Sequence, residues 1–213
     1  GGDNWVEIFI LPVVDDTKTA HVHDVCYDPY TGAIWVTTGD GGNCGVYYSY
    51  DLGTNWNKIE IDGVLPQFYG ISATPWSILL GTDDTPNGVY AIRKDLNKME
   101  QIFTASDIVK RYAFDDKTTL TYLVPKFKYC NGAWYSATTQ TNADLRHIVL
   151  GTKDGWNIFP VYKEPLVNTA SWGGFKSIYV GELGGKSIMY GSYEDEISSR
   201  QFAQMFLPEW VSF

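Results

Sequence analysis

A unit of four short strands recurs along this chain, and a repeat of that size leaves few architectures open. The segments 32–61, 76–103 and 132–162 align with one another. Each reads as an apolar strand, a polar loop of Gly, Thr, Asp or Asn, a second strand, a tight turn carrying an aspartate, and a third strand. A weaker fourth copy covers 175–206. The turn aspartates are Asp51, Asp95, Asp154 and, in the weakest copy, Asp195. A further short strand is expected upstream of each copy, at 21–27, 68–73, 122–129 and 168–172. Each unit then holds four antiparallel strands, A to D, joined by hairpins, and a spacing of roughly 40–60 residues is that of propeller blades.

The expected fold is therefore all-β: a single β-propeller domain over 1–213 with four to five four-stranded antiparallel blades, or part of a larger ring. The blade-like repeats are placed at 21–61, 68–104, 121–163 and 168–206. Only 105–112 carries a pattern that suits a short helix. Two pieces are left over, 4–14 and 208–213. The first has the apolar character of a buried strand and is expected to close the ring, because pairing the two ends removes exposed sheet edges. The opening Gly1-Gly2, with no Met, is expected to be a processed end or a cut through a longer chain.

Composition narrows the partners. A formal net charge of −9 lacks the basic footprint that phosphate backbones need, so nucleic acid is not expected. No apolar run is long enough to cross a bilayer, so membrane insertion is not expected either. The aromatic share of 15% suits half-buried sheet faces and sugar-stacking surfaces alike. Cys26, Cys44 and Cys130 are too few for a disulfide framework, lack C-x-x-C spacing, and read as buried small hydrophobes.

The first copy contains Ser49-Tyr50-Asp51-Leu52-Gly53-Thr54-Asn55-Trp56. Its Ser and Asp oxygens can accept backbone N–H groups and lock a turn, Gly53 supplies positive φ, and Trp56 can bury its ring under the hairpin. The run resembles the Asp-box, S/T-x-D-x-G-x-x-W, of the sialidase-like BNR-repeat propellers. Thr152-Lys153-Asp154-Gly155-Trp156 is a shortened version, and Asp95 keeps the aspartate with Asn97 at the glycine position. In that family the box lies on the C–D turn, away from the ligand funnel. The resemblance implies structural roles for Ser49, Asp51, Gly53, Trp56, Asp95, Asp154, Gly155 and Trp156. Active members bring three arginines, a Tyr/Glu pair and an Asp acid to the substrate. Here the R-I-P type motif is missing and the arginines are Arg93, Arg111, Arg146 and Arg200, so the resemblance implies a non-catalytic member.

Chemistry is expected on the opposite rim, where the B–C loops and the starts of the A strands converge. The ligand-binding candidates are His21, His23, Asp24, Asp40, Asp83, Asp84 and Asp144. Alternation puts His21 and His23 on one side of a strand, with Asp40 close by across the A–B pair. Two imidazoles and a carboxylate could bind a ligand or a metal or move protons, but the preferred reading is polar inner-strand residues hydrogen-bonded around a wet channel. No cofactor is expected. The acidic loops suggest calcium, although none matches a D-x-D-x-D-G loop. Three uses stay open. The first is a non-enzymatic propeller module that binds glycan or protein on a secreted, cell-surface or virion protein. The second is a glycoside hydrolase or lyase acting through pore carboxylates and histidines. The third is a purely structural propeller.

Overall fold

A computed structural model of the chain describes residues 4–60, 66–83, 88–95, 98–104, 122–123, 126–130, 132–137, 139–140, 148–163, 174–183, 186–194 and 201–206. The strand β6 (Ser77–Thr82) shows why sheets must stack here. Its run Ile78-Leu79-Leu80 is apolar at successive positions, and successive side chains leave a strand on opposite faces, so both faces need cover. Ile78 and Leu80 pack with Trp35, Val46, Ile71 and Ile92 on one side. Leu79 packs with Val89, Trp134 and Leu150 on the other. The sheet containing β6 is thus held between two others.

The first sheet is β1 (His21–Tyr27), β2 (Ile34–Gly39), β3 (Gly45–Ser49) and β4 (Asn57–Lys58), in that order. The second adds β5 (Phe68–Ala73), β7 (Gly88–Arg93) and β8 (Lys98–Thr104) around β6. The third is β10 (Lys128–Cys130), β11 (Ala133–Ala137), β13 (Ile148–Thr152) and β14 (Phe159–Lys163). Neighbouring strands in each are antiparallel, and β5 lies against β1 and β2 as β15 (Gly174–Leu183) lies against β10 and β11. The architecture is an all-β propeller of antiparallel meanders. Among the described residues the only helical piece is a 3-10 turn at Gly41–Asn43.

The fourth sheet departs from the repeat reading. Strands β15, β16 (Lys186–Glu194) and β17 (Gln201–Phe206) form a meander, and β12 (Thr139–Gln140) and β9 (Tyr122–Leu123) extend it beyond β15. The expected strand at 122–129 is therefore split, β9 going to the fourth sheet and β10 to the third. Thr139 and Gln140, in the polar stretch that follows the apolar strand of the third copy, pair with Gly174, Tyr122 and Leu123. The segments 105–112, 168–172 and 208–213, and Asp195, lie outside the described residues.

The 4–14 segment is not a strand. It takes no ladder pairing and crosses the C–D turn of the first sheet instead. The Trp56 indole N–H donates to the Ile8 carbonyl at 2.6 Å, and the Phe9 ring lies 4.8 Å from that of Trp56. Trp56 is consequently half-buried under this segment rather than enclosed in the core.

Ser49, Asp51 and their neighbours form a closed hydrogen-bond lock. The Ser49 hydroxyl donates to Asp51 Oδ1 at 2.8 Å and accepts the Gly53 N–H at 2.8 Å, while Asp51 accepts the Asn55 backbone and side-chain amides at 2.8 and 2.6 Å. Leu52 and Gly53 both take positive φ, 57° and 91°. Asp154 repeats the lock with Thr152, Trp156 and Asn157. At Asp95 the carboxylate receives a forked pair of bonds from Arg93, two residues back, at 3.1 and 2.8 Å, and residues 96–97 of that turn lie outside the described residues.

The lock gives a pH prediction. Backbone and side-chain bonds from Asn55, then the Ser49 hydroxyl, hold the Asp51 carboxyl down at about 2. A carboxylate whose folded value is depressed stabilises the fold above its unfolded value, near 3.8, and loses that contribution as pH falls through about 2. Urea midpoints of the native protein and Asp51→Asn should differ at pH 6 and converge toward pH 2. A gap that is constant across this range would mean the bonds do not depend on the charge.

The thiols of Cys26, Cys44 and Cys130 are buried and none is in a disulfide. Burial pushes the Cys26 thiol up.

Candidate functional site

Antiparallel hairpins send the B–C loops and the strand A starts to one rim. There β1 begins beside the end of β2, with His21 opposite Gly39. The alternation expected for His21 and His23 is broken by a bulge: Val22 pairs with Thr38 and Asp24 with Thr37, leaving His23 as the extra residue. The same irregularity in β5 leaves Tyr69 unpaired between Phe68 and Gly70. Bulges re-aim side chains. Here they place the His23 ring 4.5 Å from His21 and 6.3 Å from Tyr69, centroid to centroid.

Four of the sequence candidates meet at this rim. His23 Nε2 lies 3.7 Å from Asp40 Oδ1. The Gln67 amide nitrogen donates to Asp40 Oδ1 at 2.7 Å and to Asp83 Oδ2 at 3.1 Å. The nitrogen has to face this way, because ionised carboxylates only accept. The other ring nitrogen of His23, Nδ1, sits 2.7 Å from the Phe68 carbonyl and therefore carries the proton that is donated there. An ideal Cβ at Gly39 would lie 2.5 Å from His23 Cε1 and Nε2, so only glycine lets the imidazole rest on the β2 backbone. His23 is nearly enclosed, its side chain 4% exposed, whereas Asp40 and Asp83 are half-buried and His21 and Tyr69 face solvent.

Asp24 is turned away from the rim. Its Oδ2 accepts the Ile71 N–H at 3.0 Å and its Oδ1 pairs with Lys126 at 3.2 Å, tying β1 to β5 and to the chain leading into β10. Its role is to join the inner strands. Asp84 and Asp144 lie outside the described residues, as do Arg111, Arg146 and Arg200. The sequence reading missed Gln67 and Tyr69. Setting Phe68 under Val22 puts Gln67 under His21 and Tyr69 under His23, so aligning the A strands themselves would have nominated both.

The opposite rim also carries a concavity. A cleft of about 560 Å³ opens between the second and third sheets, lined by Trp76, Arg93, Asp95, Asp154 and Trp156 among others. Its charged groups are engaged in bonds that hold the fold, Lys94 with Asp28 among them. Arg93 is forked onto Asp95 and its guanidinium lies 5.8 Å from the Trp156 ring centre, while Asp154 is committed to its turn. Trp76 is the exposed ring at its edge.

No protein-family model and no curated protein matches the chain. Among solved structures it is similar to a bifunctional GH43-CE protein of Bacteroides eggerthii, with a TM-score of 0.44 and 13% identity over 92% of this chain and 26% of that one. It is also similar to the GH32 β-fructofuranosidase of Bombyx mori. A variant in complex with sucrose gives a TM-score of 0.40, and a second structure of the enzyme gives 0.41. Both are 13% identical over 88% of this chain and 48% of that one. This chain thus spans between about a quarter and a half of the length of these structures.

Proposed function

We propose that the chain is a carbohydrate-binding propeller module of the Asp-box kind, working without catalysis on a secreted, cell-surface or virion protein. The observation that carries the reading is the Asp40–Gln67–Asp83 bridge beside the exposed Tyr69 ring. Sugars present vicinal hydroxyl donors along an apolar ring face, and paired carboxylate acceptors next to an aromatic platform complement both. The exposed His21 adds a donor or acceptor at the edge.

The same bridge disfavours hydrolysis. A paired-carboxylate glycosidase needs one carboxyl protonated as a general acid. Here the carboxylates of Asp40 and Asp83 are bridged by one Gln67 amide, which occupies the space between them where a glycosidic oxygen would have to sit. The Ser49–Asp51 lock supports the Asp-box kind, and the cluster of polar side chains on the rim opposite the locks favours a binding module over a purely structural ring.

A glycan array read alongside reducing-sugar release tests this. The native chain should bind a sugar class without turnover, and Asp40→Asn and Tyr69→Ala should each weaken binding by about 10-fold or more, the worth of a charged hydrogen bond. Trp76→Ala, on the other rim, should leave affinity unchanged. Sugar release that disappears in Asp40→Asn would make the chain a hydrolase. Binding lost only in Trp76→Ala would move the site to the cleft, and silence in both assays would leave the structural ring.

A further inference from the structure

We infer that His21, His23 and Asp40 form a binding site for a transition-metal dication of the zinc type. Donor atoms from the three side chains lie within 4.8 Å of one another. Proximity alone would be weak, but the surroundings of His23 add a second observation. A ligating imidazole characteristically donates its far N–H to a carbonyl or carboxylate, which fixes the tautomer and aims the lone pair at the metal. His23 does this: Nδ1 donates to the Phe68 carbonyl at 2.7 Å, so in the neutral ring the Nε2 lone pair points toward Asp40.

Two acceptors then face each other at 3.7 Å, an arrangement that asks for a cation between them. Asp40 is held in turn by Gln67, whose amide donates to Oδ1. Both buried-side donors therefore have fixed orientation before any ion arrives. A tetrahedral zinc with bonds of about 2.1 Å separates its donors by about 3.4 Å, close to the His23–Asp40 spacing. The exposed His21, its ring tilted against that of His23 at 4.5 Å between centroids, closes the third position by a side-chain swing.

The donor set selects the metal. Two imidazoles and one carboxylate suit zinc and its neighbours, whereas calcium takes six to eight oxygens, so the calcium suggested by the acidic loops does not fit this group. Three protein donors leave a fourth position facing the rim, open to water or to a ligand hydroxyl. The site shares Asp40 with the carbohydrate reading but does not depend on it.

Metal-stripped full chain should be titrated with Zn²⁺ alone at neutral pH by calorimetry, in parallel with Ca²⁺ and with no sugar present. Zinc should bind at about one equivalent per chain, and calcium should give no saturable heat. His21→Ala and Asp40→Asn, both at solvent-reachable positions, should weaken zinc by at least about 10-fold while keeping the native circular dichroism spectrum. Tyr69→Ala should keep zinc affinity and lose only sugar, which separates the two readings. The inference is overturned if zinc does not bind, if it binds equally well to both variants, or if calcium competes at similar concentration. In the first case the gap between His23 and Asp40 is bridged by a proton only.

Discussion

Lys94→Ala should destabilise the fold by about 3–5 kcal/mol, the cost of leaving a buried charge without its partner. The pair in question joins two sheets. Lys94 stands on the C–D turn of the second sheet, and its Nζ lies 2.7 Å from Asp28 Oδ2 on the A–B turn of the first. The side chains are 11% and 0% exposed, so water and salt screen the pair little. Nζ also donates to the Thr74 carbonyl and sits 4.8 Å from the centre of the Tyr30 ring. Removing Lys94 leaves the Asp28 carboxylate with the Tyr30 N–H and the Thr31 hydroxyl and no cation. The double variant Asp28→Asn/Lys94→Met removes both charges and keeps the volume, and should recover most of the loss, because a buried pair contributes little beyond its hydrophobic replacement. Urea unfolding of the native protein, Asp28→Asn, Lys94→Met and the double variant gives the coupling energy directly. A loss below about 1 kcal/mol in Lys94→Ala would mean that the pair behaves as a surface one.

This contact shows where sequence reading succeeds and where it stops. The continuous apolar run of Ile78-Leu79-Leu80 and the turn chemistry of Ser49, Asp51 and Gly53 are local, so strand and turn could be read from neighbouring residues. That the stretches carrying His21, His23, Asp40 and Asp83 reach one rim followed from hairpin direction. The partners of Asp24 and Asp28 were beyond reach, because the lysines that neutralise them come from other sheets; Lys126 is 102 residues from Asp24. The bulges at His23 and Tyr69 have no composition signal, yet they decide which side chains face the rim. Asp95 resembles the other turn aspartates by position, and its forked bond from Arg93 was not foreseen. The 4–14 segment looked like a strand because it is apolar, but Trp5, Val6 and Ile10 remain exposed and it is held by the Ile8 carbonyl and the Phe9 ring.

Gly155→Ala should cost about 3–4 kcal/mol, and Gly132→Ala only about 1–2 kcal/mol, although both glycines have positive φ. The backbone strain is common to the two, with φ of +68° and +81°. What differs is the space. A Cβ at Gly132 would meet nothing within 4 Å, whereas one at Gly155 would lie 2.5 Å from Thr74 Oγ1 and 2.7 Å from Ser77 Oγ. These belong to the A–B turn of the second sheet, and the Ser77 hydroxyl donates to the Gly155 carbonyl at 2.7 Å. Gly155 therefore sits at a sheet-to-sheet docking point equivalent to that of Lys94 on Asp28, with the C–D turn of one sheet seated on the A–B turn of the sheet before it. In the first sheet the same seat, over Gly53 and Trp56, is taken by Ile8 of the N-terminal segment. The difference between the two alanine variants, measured by chemical unfolding, isolates the docking contribution from the strain. Equal losses would show that the third sheet can shift away from the second at no cost, and that the turns do not hold neighbouring sheets in register.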